Sequence, residues 1–564
     1  MESSRGILLL ALAFITFLLY QQWQTDFPPK QLPSQEVSQQ EIDNSGIPDI
    51  EPNGGITETS QSVDASDIPE VKHGQKSPQS STKGELIKIA NDVLEIQVDT
   101  HGGDVVFAKL LKFNKKLKDE SDKVTLLTKE NGRTFFAKSA LLGEDSPDQK
   151  SFRAVYKVKE IADTDSGTQL TLLWTNESGV EFSKIFTLNN GAYDIDVRYV
   201  VNNTSQNKLY FKMMNELIRD QYVSNSESSG FGIQAYTGAA FSNDESNYVK
   251  HDFDDMVDSP VSEKATGGWI AFLQHYFVAA WVPEQTKVNE IRTFIKSGTN
   301  LAVVRVLQDW VKVGPGEKAE ISGKLFVGPK DQDDLAQLAE GLDLTVDYWI
   351  FWWIGQPIFW LLTMFHGLVG NWGVSIILVT IFVKVLLYPL ASAQYRSFAK
   401  MRMLAPKLQQ LKERYGEDRQ KMSMAMMELY KKEKVNPMGG CLPLLIQMPV
   451  FLALYWVLLE SYEIRHAPFM LWITDLSAKD PFYILPILMG ASMWAMQKLQ
   501  PTAATMDPMQ QKIMQFLPLM MTVFFMFFPA GLVLYWLVNN LLSIAQQLYI
   551  TNKIEKEYAT KKKV

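Results

Sequence analysis

The stretch LVTIFVKVLLYPL, residues 378–390, is an apolar run of the kind that spans a membrane, and it contains one lysine, Lys384. It belongs to a longer apolar segment, 372–390, whose length meets the roughly 17–25 residues that a membrane-spanning helix needs. A charged side chain near the bilayer interior costs about 2.5–3.5 kcal/mol on insertion scales, so it is a functional hypothesis in itself. We predict a membrane-spanning helix here and look for what solvates its lysine.

Other apolar segments share this character, and we predict that each of them also spans the membrane. Four of them follow, at about residues 442–459, 482–497, 513–528 and 532–550. Another apolar run, Gly6–Tyr20, comes directly after Arg5 at the N-terminus. It lacks a small-x-small cleavage pattern, which favours an uncleaved signal anchor over residues 1–23 rather than a cleaved signal peptide. Together these segments predict six transmembrane helices.

Charged residues are distributed unevenly along the chain, and this bias orients it. Residues 391–440 carry 11 Lys and Arg against 5 Asp and Glu, and the tail 551–564 carries 5 lysines against 2 glutamates. Residues 24–350 carry 33 basic and 50 acidic side chains, and the connection 461–480 is not basic. By the positive-inside rule, we predict that 391–440 and both termini are cytoplasmic and that the acidic segment is outside.

The acidic segment has two parts of different character. Residues 24–83 are rich in Gln, Ser, Pro and acidic side chains and bury too little apolar surface to fold, so we predict a flexible tether. Residues 84–345 alternate in polarity, as in AYDIDVRYVV at 192–201, with turn signals such as HGGD and NNTS between the runs. This pattern predicts an antiparallel β-sandwich closed by a helix at 331–342. A scaffold is favoured over a sugar-binding or peptide-binding module, because no polar cluster stands out.

Residues 346–366 are unusually aromatic, with four tryptophans and a proline in YWIFWWIGQPIFWLL. Tryptophan prefers the boundary between water and lipid, so the segment favours an amphipathic helix that lies in the membrane interface. A seventh membrane span is the competing interpretation, because the segment is long enough and apolar enough to cross.

The basic segment 391–440 is predicted to form two amphipathic helices around YGED, folded as a helical hairpin. Its apolar face is expected to carry Met403, Leu408, Leu411 and Tyr415. The basic side chains of the hairpin are Arg396, Lys400, Arg402, Lys407, Lys412 and Arg414. Such a face suits anionic lipid, RNA or a ribosome surface, and a merely solvated face is an equal alternative.

The predicted spans offer Lys384 no acidic partner, because their apolar cores contain no Asp or Glu. The lysine must then be neutral, snorkel over about 9 Å to the cytoplasmic side, or lie in a hydrated cavity. Other polar side chains concentrate from the middle of the spans to the cytoplasmic side: Thr380, Gln447, Ser492, Thr522, Asn539, Asn540, Ser543 and Gln546. We interpret this set as a wet, cation-lined groove open to the cytoplasm, although each member alone also fits local hydrogen bonding.

The sequence contains no signature of catalysis or cofactor binding. Its one cysteine is Cys441, and its six histidines lack metal-ligand spacing. A phosphate-binding glycine loop, a nucleophile elbow and an H-E-x-x-H motif are all absent from it. The acidic balance of residues 24–350 argues against a nucleic-acid partner for that segment. We therefore expect neither an enzyme nor a cofactor.

Four stretches resemble the YidC/Oxa/Alb family of membrane-protein insertases. They are YPLASAQYRSFAKMRMLAPK (388–407), NPMGGCLPLLIQMPVFLALYWVL (436–458), FYILPILMGASMWAMQK (482–498) and DPMQQKIMQFLPLMMTVFFMFFPAGLVLYWLVNNLLSIAQQ (507–547). The resemblance covers about 346–555, and the anchor, tether and external domain before it resemble the Gram-negative form of the family. It implies a polytopic α-helical membrane protein with an insertase core at 367–550 and a large periplasmic β-sandwich domain.

The family resemblance also implies a function and partners. Members insert and help fold inner-membrane proteins, alone or with the Sec translocon, and need no cofactor. A cation in the second span lines their hydrophilic groove, and this position falls on Lys384, where bacterial members commonly have arginine. The substrate-contacting faces of the third and sixth spans map onto Gln447, Met448 and Tyr535. The implied partners are nascent membrane proteins, the lipid bilayer, the Sec translocon, and a ribosome held by the hairpin and the basic tail.

Two other classes of protein remain as alternatives. A secondary transporter would need inverted repeats and a coupling-ion site near the midplane, and the sequence shows neither. An envelope scaffold or sugar-binding protein would work through its external domain, so that deletion of residues 84–320 would abolish its function.

Overall fold

The computed structural model describes residues 84–130, 132–149, 152–222, 235–415, 418–433, 442–499 and 508–561. The predicted anchor (1–23) and tether (24–83) lie outside the described residues, and so does Cys441 with the NPMGG sequence before it. Our expectations for these segments therefore stay predictions.

Residues from Leu86 onward form strands that build the predicted sandwich. The strands in chain order are β1 Leu86–Ala90, β2 Leu94–Asp99, β3 Asp104–Asn114, β4 Lys123–Leu127, β5 Phe135–Gly143, β6 Asp148–Gln149, β7 Phe152–Arg153, β8 Lys157–Thr164, β9 Gly167–Thr175, β10 Glu181–Asn189, β11 Asp194–Asn202, β12 Leu209–Asp220, β13 Gly238–Phe241, β14 Val249–His251, β15 Val261–Thr266, β16 Ile270–Leu273, β17 Phe277–Val282, β18 Val288–Ile295, β19 Leu301–Leu307, β20 Val311–Val313 and β21 Lys318–Pro329.

Two large antiparallel sheets make up the sandwich. One has ten strands along the path β1-β2-β3-β5-β12-β19-β18-β15, with β4 paired to β3 and β20 paired to β12. The other has nine strands in the order β14-β13-β16-β17-β21-β11-β10-β9-β8. The alternation in β11 buries Ile195, Val197 and Tyr199, and side chains from both sheets form one apolar core. The predicted antiparallel β-sandwich is confirmed.

The sandwich also encloses a polar cluster that the sequence did not reveal. Arg153 donates from Nη1 to Asp104 at 2.7 Å and from Nε to Asp148 at 2.8 Å. Lys184, fully buried, donates to the carbonyl oxygens of Gly102 and Ser139, each at 3.0 Å. Burial lowers the pKa of Lys184 to about 7. Because these groups satisfy one another inside the domain, the cluster supports a structural role for it.

Helices form most of the other described residues. They are α1 Phe253–Asp258, α2 Gln332–Leu338, α3 Trp352–Val369, α4 Trp372–Leu386, α5 Tyr388–Tyr415, α6 Arg419–Lys432, α7 Leu442–Glu460, α8 Ile484–Leu499, α9 Pro508–Phe525 and α10 Ala530–Lys561. Helix α2 is the closing helix predicted at 331–342, and it begins after Asp331, whose side chain accepts from two backbone N–H groups. The aromatic segment predicted as a helix at 346–366 is α3, preceded by a 3₁₀ turn at Trp349–Phe351.

The helices correspond in position to the five predicted C-terminal spans but differ from them in shape. By length and apolar composition, no single helix of the described residues qualifies as a membrane span. One bent pair does qualify together, Trp372–Leu386 with Tyr388–Leu404, with a bend of 66°. The segment predicted at 372–390 thus breaks near Leu387, and the count of six spans stays a prediction.

Helices α5 and α6 form the predicted cytoplasmic-type hairpin. Leu404 and Leu408 of α5 are buried against Met426 and Leu429 of α6. Met403, expected on this apolar face, is instead 40% exposed, and its neighbour Leu404 is buried in its place, while Leu408 is buried as predicted. The pairing of α5 with α6 is confirmed, whereas the assignment of Met403 is wrong.

A polar joint connects the sandwich to the end of α7. Lys330 Nζ lies 3.2 Å from Glu460 Oε2, and both side chains are about 1% exposed. His275 Nε2 lies 2.8 Å from the carbonyl oxygen of Leu459, one of the carbonyls that a helix end leaves unpaired. The hydroxyl of Tyr462 donates to Asp331 at 2.5 Å. These contacts fix the β-sandwich on the C-terminal end of α7.

Two groups at this joint have strongly shifted pKa values. Burial lowers the pKa of His275 to about 4, so the imidazole is neutral near pH 7. Burial raises the pKa of Glu463 to about 8, and the nearby carboxylates of Asp331 and Asp333 add to the rise. A neutral Glu463 can lie beside Asp331 without charge repulsion, which a carboxylate could not.

Candidate functional site

Lys384 lies in the last turn of α4 and points into the helical domain. Its side chain is only 5% exposed, and its ammonium donates to Ser543 Oγ of α10 at 2.7 Å. Ser543 donates in turn to the carbonyl oxygen of Asn539, one turn earlier in α10, at 2.7 Å. In the part of the chain that the structure describes, no carboxylate forms an ion pair with Lys384.

A second polar contact joins α10 to α8. Asn540 Nδ2 donates to Ser492 Oγ at 3.0 Å, and Ser492 donates to the carbonyl oxygen of Met489 at 2.6 Å. Helix α10 therefore presents polar groups to α4 on one side and to α8 on the other. We call these five residues the polar seam: Lys384, Ser492, Asn539, Asn540 and Ser543.

Two predicted site residues are bonded within their own helices instead. Thr380 donates to the carbonyl oxygen of Ile376 at 2.6 Å, and Thr522 donates to that of Pro518 at 2.7 Å. Thr522 also marks a close approach of α9 to α8, since a β-carbon on Gly490 would lie 1.8 Å from its hydroxyl oxygen. For both threonines, local hydrogen bonding describes the side chain better than a role in a wet groove.

The predicted contacts on α7 form a separate, mainly apolar surface. Met448 is 49% exposed and Gln447 is half-buried. Tyr535 is buried and stacks on Phe451, with ring centroids 5.9 Å apart. Across the described ranges, no hydrogen bond joins Gln447, Met448 or Tyr535 to the polar seam. The nine predicted residues therefore do not line one continuous cluster.

The structure adds residues to the seam that the predicted site lacked. Gln547 is buried and donates to the carbonyl oxygen of Leu499 at 2.9 Å, at the end of α8. Tyr395 of α5 is also buried, and it packs with Ile550 and Ile554 of α10. Asn539, Ser543 and Gln547 recur every four residues, which places them on one face of a helix. That spacing is the sequence signal that could have identified Gln547.

The ammonium group of Lys384 has more hydrogen-bond donors than the polar seam uses. A lysine ammonium carries three N–H donors, and Ser543 accepts one of them. No other bond of this ammonium is seen among the described residues, so two donors are free for water or for an anionic group. An incoming anion would exchange a neutral partner for a charged one, and this exchange strengthens the bond.

The basic residues of the hairpin mostly face outward. Arg402 donates to the carbonyl oxygen of Leu499 at 3.1 Å, and Lys407 pairs with Glu433 at 2.6 Å. Arg396 and Arg414 are exposed, Lys400 is half-buried, and the side chain of Lys412 lies outside the described part. An exposed basic face remains available to a partner.

Comparisons with known proteins find relatives along nearly the whole chain. Residues 86–361 match the family model of the YidC periplasmic domain, and residues 364–557 match that of the 60Kd inner membrane protein. The chain is 46% identical to the membrane protein insertase YidC of Aeromonas salmonicida and 48% identical to that of Shewanella amazonensis, over 99% of each chain. A solved active YidC insertase is 18% identical, covers 83% of this chain and 92% of that one, and has a TM-score of 0.36.

Proposed function

The chain belongs to the YidC family of membrane protein insertases, and on this premise we propose how its polar seam acts on a nascent membrane protein. Like its relatives, the protein is an insertase of the inner membrane with a periplasmic domain, and it is not an enzyme. The periplasmic domain is the β-sandwich of β1–β21.

We propose that the helical part lies in the membrane with six spans and with both termini in the cytoplasm. The excess of basic residues at 391–440 and 551–564 supports this orientation. Helix α3 then lies in the outer interface, because Trp352, Trp353 and Trp360 are each more than half exposed on it, at 55%, 61% and 63%.

Lys384 is the residue of the polar seam that binds the polar segment of a client, by which we mean a nascent membrane protein that the insertase inserts. The observation that carries this proposal is a buried cation held by one neutral hydroxyl, with no carboxylate partner among the described residues. A charge that is partly removed from water attracts an opposite charge more strongly than a solvated one does. An acidic residue of a client tail would therefore replace Ser543 as the partner of Lys384.

The seam must open for this exchange, because Lys384 is only 5% exposed in the closed arrangement. Separation of α4 from α10 would expose Lys384 and Ser543 together and form a hydrophilic groove open to cytoplasm and lipid. The polar tail of the client then avoids crossing the full ~30 Å hydrocarbon core unsolvated. Its apolar helix moves past Met448 and Tyr535 into lipid, driven by burial of its own apolar surface.

Partners beyond the client follow from the exposed basic surfaces. We assign the hairpin α5–α6 and the tail to ribosome and lipid contact, since exposed arginines such as Arg396 and Arg414 attract phosphate without reading a specific nucleic acid sequence. Cooperation with the Sec translocon is expected for clients with large periplasmic domains, which a groove of this kind does not conduct.

The test is insertion of a small client with an acidic external tail into proteoliposomes that contain the purified protein. Lys384→Arg should keep most of the insertion rate because it keeps the charge, whereas Lys384→Ala should lower the rate at least about tenfold, the effect of losing ~1.4 kcal/mol. Lys498→Ala is the matched control, since Lys498 is an exposed cation near the end of α8 that lies outside the seam. Equal rates for Lys384→Ala and the parent would contradict the proposal.

A further inference from the structure

An exposed apolar turn lies between α7 and α8. Leu471 is 83% exposed and Met470 is 49% exposed. Leu471 has a φ of +55°, a left-handed conformation that residues with a β-carbon rarely adopt. Such a conformation persists only where the surroundings enforce it. The backbone here holds an aliphatic side chain outward instead of burying it.

The turn is held rigidly against the start of α4. Phe469 N donates to the carbonyl oxygen of Ile473 at 3.0 Å, and Asn371 Nδ2 donates to the carbonyl oxygen of Phe469 at 2.8 Å. Asn371 also caps α4, because its Oδ1 accepts from the backbone N–H of Val374 at 3.0 Å. The ring of Phe469 packs so closely on Gly373 that a β-carbon there would lie 2.1 Å from it.

A second exposed apolar segment adjoins the same helix end. Leu368 and Val369, at the end of α3, are 75% and 42% exposed. Only Gly370 separates them from Asn371, and stacking of His366 on Trp372 at 3.9 Å fixes α3 to α4 at this corner. We define the apolar collar as Leu368, Val369, Met470 and Leu471.

Two carboxylates of the connection are bonded internally, and at the turn itself, residues 469–473, every side chain is apolar. Asp475 accepts from the backbone N–H groups of His466 and Ser477, at 3.2 and 2.8 Å. Asp480 accepts from the indole N–H of Trp472 at 3.1 Å. A surface without exposed hydrogen-bonding groups suits hydrocarbon better than a protein partner with polar groups of its own.

We propose that the apolar collar inserts into the outer leaflet of the inner membrane and seats the external end of α4 in the acyl-chain region. The collar lies beside the start of α4, which belongs to the bent pair that qualifies as a span by length and apolar composition, and it adjoins the end of α3. The proposal rests on membership of an inner-membrane family and goes beyond the action of Lys384. Short aliphatic side chains on a rigid turn enter the boundary between headgroups and acyl chains as an interfacial helix does.

The experiment places an environment-sensitive fluorophore (NBD) on the collar of the full-length protein in proteoliposomes without other proteins. Cys441→Ser removes the native thiol, and Leu471→Cys then provides one labelling site. Asp165→Cys in the same background is the control, because Asp165 is exposed at the tip of the β8–β9 hairpin. Quenching is measured with lipids that carry a nitroxide near the headgroup or deep in the acyl chain.

The collar position should show blue-shifted emission and strong quenching by the shallow nitroxide, whereas the Asp165→Cys label should show neither. Emission at Leu471→Cys that matches the control would show a turn in water and overturn the proposal. Blue-shifted emission without quenching by either lipid would place the turn in a contact between copies of the chain, which also overturns it. Because this readout needs no client, failure of the collar is distinguishable from failure of the seam.

Discussion

The buried ion pair at the joint between the sandwich and α7 can be tested quantitatively by a substitution that removes one of its two partners. Lys330→Met removes the cation that lies 3.2 Å from Glu460 and keeps a side chain of similar length. Glu460 is about 1% exposed, so its carboxylate would be left without solvent or a counter-ion. Removal of one partner of a buried ion pair lowers the free energy of unfolding by about 3–5 kcal/mol.

Protonation sets a limit to this cost. The unpaired carboxyl of Glu460 can take up a proton and become neutral. For an ordinary glutamate with a pKa near 4.3, the free energy of this protonation is about 3.7 kcal/mol at pH 7. At pH 5.5 the same protonation costs only about 1.6 kcal/mol. The destabilisation by Lys330→Met should therefore be about 2 kcal/mol smaller at pH 5.5 than at pH 7.

The assay is urea unfolding of the purified full-length protein in a mild nonionic detergent, followed by pulse proteolysis at both pH values. The double variant Lys330→Met with Glu460→Leu should recover most of the lost free energy of unfolding, because an apolar pair of similar volume replaces the ion pair. A loss below about 0.5 kcal/mol for Lys330→Met, equal at both pH values, would refute a buried ion pair, since that is the effect of an exposed one.

Three further predictions concern other parts of the fold. Burial lowers the pKa of His275 to about 4, so between pH 6.5 and 4 the unfolded chain binds a proton that the native state excludes. The stability contributed by neutral His275 is complete above pH 6.5 and should fall by about 2 kcal/mol at pH 5, and His275→Gln should flatten that part of the pH profile of urea unfolding. Ser543→Ala removes the neutral partner that a client carboxylate replaces, so it should speed insertion of an acidic-tailed client by up to about tenfold, the effect of a hydrogen bond to a charged group, whereas Ser543→Thr keeps the hydroxyl and should keep the parent rate. Leu408→Asp, which buries a charge between α5 and α6, should make the hairpin more sensitive to protease, whereas Lys407→Ala breaks only an exposed ion pair and should change cleavage little.

The sequence predicted the sandwich because burial on one face of a strand leaves a period of two. In β11 this period is complete, with Ile195, Val197 and Tyr199 buried in turn. Strand order was not predictable, because β12 pairs with both β5 and β19, and such partners are chosen by the packing of the whole domain. The Arg153–Asp104 pair was missed for the same reason, since its members lie 49 positions apart.

The candidate site was predictable in its chemistry and only partly in its geometry. An apolar segment with one cation and no acid predicted Lys384, and depth along the spans selected Ser492, Asn539 and Asn540. Depth does not determine which helices are neighbours. Gln447 therefore fell on a separate surface, although its depth matched that of the polar seam, and Met448, which the family resemblance indicated, lies on that surface as well.

The charge of the client tail provides the most direct test of the central claim, that Lys384 receives acidic residues of the client. One client is made with an acidic tail and with the same tail in which each Asp is changed to Asn, and insertion is measured with the parent and with Lys384→Ala. We predict that Lys384→Ala slows the acidic client and leaves the neutral client nearly unchanged. An equal defect for both clients would contradict it, because Lys384 would then support the fold of the seam and not the recognition of charge.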